Sequence, residues 1–174
     1  MDITFGPEVC GSLDAGASRE WLVPDGLGGY AMGTVAGLRT RRYHALLVVA
    51  GAHPGARMVG LAALDPVLEL ASGALVRLGT HEWTSGSVSP EGHTYLERFD
   101  LVDGLPRWRF RVGSVVVEKQ IAMAYGRPAL AVVFTQLSGE PCRLRAEALC
   151  TWRDAHGERH ADGPLPVEPV SGGA

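Results

Sequence analysis

The residues with the greatest chemical reach gather near the start of the chain. Glu20, Trp21 and Asp25 precede three glycines, Gly26, Gly28 and Gly29, which end on Tyr30; Arg39, Arg41, Arg42, Tyr43 and His44 follow shortly after. Guanidinium forks pair bidentately with phosphate or carboxylate. Aromatic rings stack on a flat ligand or fill a core, and glycine lets the backbone turn sharply or approach another group closely. A surface loop of this make-up is usually functional.

Each chemistry has a plainer rival. Gly26-Leu27-Gly28-Gly29-Tyr30-Ala31 matches the dinucleotide pattern G-x-G-x-x-A, which works only where the glycines open a helix whose N-terminus receives the pyrophosphate. Met32 to Gly37 is poor helix-forming sequence, and no acidic residue stands between Gly26 and Asp65, so that context fails. Alternate arginines on an edge strand most simply face water. If the segment is extended, however, Arg41 and Arg42 point to opposite faces, and at least one makes an internal or interface contact. His156-Gly157-Glu158-Arg159-His160 is not H-E-x-x-H and has no third ligand by spacing, so no metal is expected. Glycoside hydrolysis needs two opposed carboxylates. Glu20, Asp25, Glu82 and Asp154 stand beside aromatics or arginine, but spacing nominates no pair. The chain carries no G-x-S-x-G elbow either. Neither a catalytic residue nor a cofactor is assigned.

The elements that must position these residues read as strands. Of 174 residues, 23 are glycine, roughly twice ordinary usage. Tyr43 to Val49 is a buried strand by its unbroken apolar run. Met58 to Leu64 and Val67 to Leu70 read as two strands parted at Asp65-Pro66, and Ser72-Gly73 closes a hairpin into Ala74 to Leu78. Arginine alternates with large apolar residues from Arg107 to Val112, giving one wet and one buried face. Gly113-Ser114 turns into Val115 to Tyr125, and Ala129 to Leu137 follows. In the last run Cys142, Leu144, Ala146, Ala148, Cys150 and Trp152 share a face, which predicts a meander with buried thiols. Residues 11–18 read as a small-residue loop. No stretch has three turns of helical spacing with caps. The fold class is therefore all-β, an antiparallel β-sandwich over residues 1–160, with a linker-like or disordered tail over 161–174.

Composition narrows the partners. A net charge of -3 gives no general attraction to nucleic acid or an anionic membrane. The three cysteines form no C-x-x-C pair and no even framework, the N-terminus lacks the regions of a signal peptide, and the longest apolar run is too short to span a bilayer. A cytoplasmic protein is expected.

The stretch Glu20-Trp21-Leu22, Gly26 to Ala31, Gly33-Thr34-Val35, Gly37 and Thr40-Arg41-Arg42-Tyr43-His44 with Leu46-Leu47-Val48 resembles the N-terminal domain of bacterial and archaeal glycogen debranching enzymes of the amylo-alpha-1,6-glucosidase type. Weaker similarity continues through Gly92 to Leu96, Phe99, the strands around Trp108, Glu118-Lys119 and Arg153 to His156. Asp25 stands where that family usually has Asn, and Ala45 where it usually has Gly. The resemblance implies a supersandwich-like domain that precedes an α-helical domain carrying the glucosidase carboxylates. It implies further that Trp21, Asp25, Gly26, Gly28, Gly29, Tyr30, Arg41, Arg42, Tyr43 and His44 form an interdomain or substrate-proximal surface, and that the chain alone is inactive. The expected partners are that helical domain, in cis or as a separate chain, and an α-glucan. The rival expectation is a free-standing α-glucan-binding module with Tyr30, Tyr43, Trp83 and Tyr95 as stacking platforms.

Overall fold

The structure is a computed structural model that describes residues 2–53 and 55–160. In chain order its elements are β1 (Ile3–Phe5), α1 (Pro7–Cys10), α2 (Leu13–Ala17), β2 (Glu20–Pro24), β3 (Tyr30–Thr34), β4 (Ala45–Ala50), β5 (Arg57–Glu69) and β6 (Leu75–Arg77). They continue with β7 (Thr80–Glu82), β8 (Val88–Glu91), a single 3-10 turn (Gly92–Tyr95), β9 (Leu96–Val102), β10 (Leu105–Val112), β11 (Val115–Met123), β12 (Leu130–Ser138) and β13 (Arg143–Asp154). Two antiparallel sheets result, with strand orders β1-β9-β10-β11-β12 and β13-β5-β4-β3-β2; β6 adds to β5, and β7-β8 is a separate ribbon. The all-β, antiparallel architecture expected from the sequence is present. Among the described residues no helix is long and apolar enough to cross a membrane.

The core lies between the sheets. Trp21, Val23, Ala31, Leu46 and Leu68 of one sheet meet Phe99, Trp108, Phe110, Val117 and Ile121 of the other. Trp21 and Trp108 touch edge to face at 5.1 Å, a geometry that the ring quadrupoles favour. Both indole N–H groups find carbonyls, Trp21 on Thr34 at 3.2 Å and Trp108 on Val35 at 3.0 Å. The alternation read at Arg107 to Val112 is present in β10: Trp108 and Phe110 are buried while Arg107, Arg109 and Arg111 are not. Gly113 takes a φ of 60° in the turn to β11.

Several local expectations need correction. Asp65-Pro66 does not divide two strands, because β5 runs through it. The Pro66 carbonyl accepts from Leu78 N at 2.9 Å. In a strand the N and C=O of one residue point the same way, so the missing proline N–H falls on that flank and costs β13 no ladder bond. Residues 13–17 form α2 rather than loop: Ser12 Oγ caps it by accepting from Ala15 N at 3.3 Å, and Gly16 sits so close to Ala36 that an added Cβ would lie 2.9 Å from the Ala36 Cβ. The meander ends at β12. β13 crosses to the other sheet and pairs with β5, and register shifts at Leu149/Cys150 and Cys150/Arg153 break its alternation. β13 is the edge strand of that sheet, and Ala146 and Ala148 are exposed along with Cys150; Cys142 is only half-buried, against the expectation of buried thiols, and Cys10 is the buried one. The expected tail at 161–174 lies outside the described residues.

Candidate functional site

The glycine-rich stretch is a hairpin turn between β2 and β3, and it runs into a strand where the dinucleotide pattern would need a helix. Asp25 organises it. The carboxylate is fully buried, and its Oδ1 accepts from Leu27 N at 2.7 Å and Gly29 N at 2.9 Å. Asp25 N donates to Gly29 O at 3.0 Å, and Gly126 N donates to Asp25 O at 2.7 Å, tying the turn to the loop after β11. Oδ2 has no hydrogen-bond partner. The glycines are needed for different reasons. Gly26 and Gly28 take φ of 79° and 94°. At Gly29 a Cβ would fall 2.4 Å from Asp25 Oδ2 and 2.6 Å from Val48 O.

The arginine-rich segment folds across the outer face of the second sheet, away from the main core. There Ala45, Val48, Val59 and Ala155 form a second apolar cluster under Tyr30, Tyr43 and Ala62. A bulge in β4 lets Met32 face Ala45 and Tyr30 face Val48, which carries Val48 to the outer side. Arg41 to His44 is a turn closed by His44 N on Arg41 O at 3.1 Å, so the extended-strand argument for Arg41 and Arg42 does not apply. Arg41 Nε donates to Glu20 at 2.7 Å, and Arg42 pairs with Glu158. The Tyr30 hydroxyl reaches Tyr43 O at 3.5 Å, and the Tyr43 ring meets His156 edge to face at 5.7 Å. Trp21, Asp25 and His44 are inside the protein, whereas Arg41 and Arg42 are exposed. The ten residues thus divide into an exposed pair of guanidinium groups and the groups that hold the segment in place.

Electrostatics follow from this placement. Burial pushes the His44 imidazole below its ordinary range, opposed by Glu20, whose Oε1 lies 3.3 Å from Nε2 without a hydrogen-bonding angle. The hydrogen bond from Arg41 holds the Glu20 carboxyl low, and burial raises the Tyr30 phenol.

Sequence reading named the residue that fastens this layer only within the resemblance and gave it no role. The Arg153 guanidinium donates to the carbonyls of Asp154, Ala155 and Gly157 at 2.9, 3.3 and 3.2 Å and to Arg42 O at 2.5 Å. Five N–H donors in a rigid fork suit such a clasp. The same holds for Lys119. On β11 it follows the inward positions Val115 and Val117, and its ammonium crosses the sandwich to donate to Leu64 O at 3.0 Å, with the Trp108 ring 5.7 Å away. It lines an inter-sheet cavity of about 70 Å³ with Trp21, Arg39, Asp65 and Trp108, and burial pulls it down to about 8. A charge at an inward strand position was the available signal. The side-chain carboxylates around the hairpin and the arginine segment are engaged: Glu20 by Arg41, Asp25 by its own turn, Asp154 by His156 N at 2.8 Å, and Glu158 by Arg42. This is the chemistry of a held surface, with acids spent on structure.

Residues 19–169 match the family described as glycogen debranching enzyme N terminal. Neither a curated protein nor a solved structure matches the chain.

Proposed function

The chain belongs to the glycogen debranching enzyme N-terminal family, and from that premise we propose that it is a non-catalytic domain presenting Gly26 to His44 to an α-helical glucosidase domain. In this role it supports hydrolysis of the α-1,6 branches of glycogen, the acid and nucleophile or base coming from the helical partner, in cis or as a separate chain. One observation carries the reading: the densest set of special residues builds a clasped outer layer whose exposed tips are the Arg41 and Arg42 guanidinium groups, while each neighbouring carboxylate is held by a partner. Hydrolysis needs two opposed carboxyl groups free to face the glycosidic bond. The N–H donors of Arg41 and Arg42 that their pairs with Glu20 and Glu158 leave over are suited instead to acceptor groups across an interface. The free thiols are consistent with a reducing cytoplasm as the place of action.

The test is direct. Purified chain should release no glucose from a phosphorylase limit dextrin, and should bind the helical domain with an affinity that falls about tenfold or more in Arg42→Glu. Glucose release by the chain alone, or unchanged binding by the variant, rejects the proposal.

A further inference from the structure

A second region, at the β7-β8 ribbon, displays aromatic rings instead of packing them. Trp83 begins the turn between β7 and β8. Its backbone is fixed by Trp83 N on Ser87 O at 2.9 Å and Gly86 N on Trp83 O at 2.7 Å, and its indole Nε1 donates to Ser89 O at 2.7 Å. The side chain is nevertheless 56% exposed. A ring this open and this firmly held has already lost the freedom that binding would otherwise take from it.

The ring borders an open groove of about 440 Å³ lined by Asp65, Arg77, His81, Pro90 and Glu147, within the range of about 300–1,000 Å³ usual for small-ligand sites. A second groove of about 330 Å³ shares Arg77 and Pro90 with the first and is bordered by Tyr95, itself 37% exposed. Two aromatic-edged grooves therefore meet at common residues, which describes an elongated track. Asp65 Oδ2 lies 2.6 Å from His81 Nε2, and Arg77 pairs with Glu147, while Glu91 borders the second groove without an ion pair among the described residues. The lining is acidic on balance, which disfavours an anionic ligand. The polar atoms that face the groove suit hydroxyl groups: a half-exposed carboxylate and guanidinium side by side.

We infer that the Trp83–Tyr95 track binds a stretch of neutral α-linked glucan, with pyranose rings laid on the aromatic faces and hydroxyls taken by Arg77 and Glu147. A pyranose offers one apolar C–H face and a polar rim, the complement of a flat ring bordered by paired polar groups. The choice of an α-glucan rests on the reading of the chain as a debranching-enzyme domain. The track is separate from the arginine rim, so one can fail without the other: the rim is tested with the helical domain, the track without it.

The experiment is affinity electrophoresis of residues 1–174 through gels containing glycogen, with a β-1,4-glucan gel as comparison. Wild-type protein should be retarded by glycogen only. Trp83→Ala should lose about tenfold in affinity, as expected for removing one well-packed stacking contact. Tyr95→Ala should lose less, and Tyr125→Ala, at a ring 88% exposed beside the glycine-rich turn, should change nothing. Thermal melting shows whether each variant is folded; should Trp83→Ala fail to fold, Tyr95→Ala decides. Absence of retardation, equal retardation in both gels, or retention by both track variants overturns the inference.

Discussion

The arginine-rich layer and the β7-β8 region use aromatic residues in opposite ways. In the layer from Gly26 to His44, Tyr30 and Tyr43 cover Val48 and Val59, and Arg153 ties the segment down from the far end of the chain. In the track, Trp83 and Tyr95 open onto grooves and little lies over them. The first region has the richer sequence and spends it on holding a shape. The second has a sparse sequence and leaves its rings free. Residue density thus marks where backbone geometry is hard to achieve, and ligand-ready rings need only a firm hairpin beneath them.

Substitutions should separate the two. The largest effect is expected for Gly29→Ala, whose methyl would meet Asp25 Oδ2 and Val48 O inside 2.7 Å. We expect a loss of about 3 kcal/mol in urea unfolding, with glycogen retardation of the folded fraction unaltered; loss of both together would merge the regions. Arg153→Met removes the donors from four carbonyls and should cost about 2 kcal/mol. Hydrogen exchange should quicken at residues 39–44 and 155–157 and stay unchanged at 80–91. Lys119→Met probes the interior beneath both. Its folded-state pKa is lowered to about 8, so between there and the ordinary lysine value near 10.4 the unfolded chain holds a proton that the folded chain has released. Wild-type stability therefore rises with pH across that window. The variant should flatten the rise and gain about 1 kcal/mol at pH 7, removal of a buried charge outweighing the lost bond to Leu64; a rise that persists in the variant assigns it to another group. The smallest effect is expected for Asp25→Asn. A neutral amide in place of the buried carboxylate, whose Oδ2 has no partner, removes a buried charge and should add about 0.5–1 kcal/mol in the same unfolding assay.

Much of the sheet pattern was legible. Arg107 to Val112 shows its two faces by period alone, and Gly113 marks its turn, because each strand packs one side on a single core. The path of β13 was not legible. Its alternation resembles that of a next meander strand, and only pairing with β5, distant in sequence, sends it to the other sheet. Pro66 misled for a related reason: whether a proline interrupts a strand depends on which flank its nitrogen faces, which sequence does not encode locally. At the site, the glycines and the arginine segment were visible as special. Their sorting into inside and outside was not, since a bulge in β4 and a turn at residues 41–44 decide it. Arg153 was legible only as part of a resemblance, because its partners are carbonyls that carry no side-chain signature.

The Arg153 clasp also sets an order of events. Arg42 and Arg153 are 111 residues apart, so the rim that comes early in the chain is fastened by the last strand described. Contacts of such long sequence separation form late, after the loop between them has closed. During synthesis the arginine turn waits, with its second apolar cluster lacking Ala155, until β13 has crossed over and docked on β5. The arginine turn is therefore finished only once the sandwich itself is complete, which makes its fastening a report of correct folding.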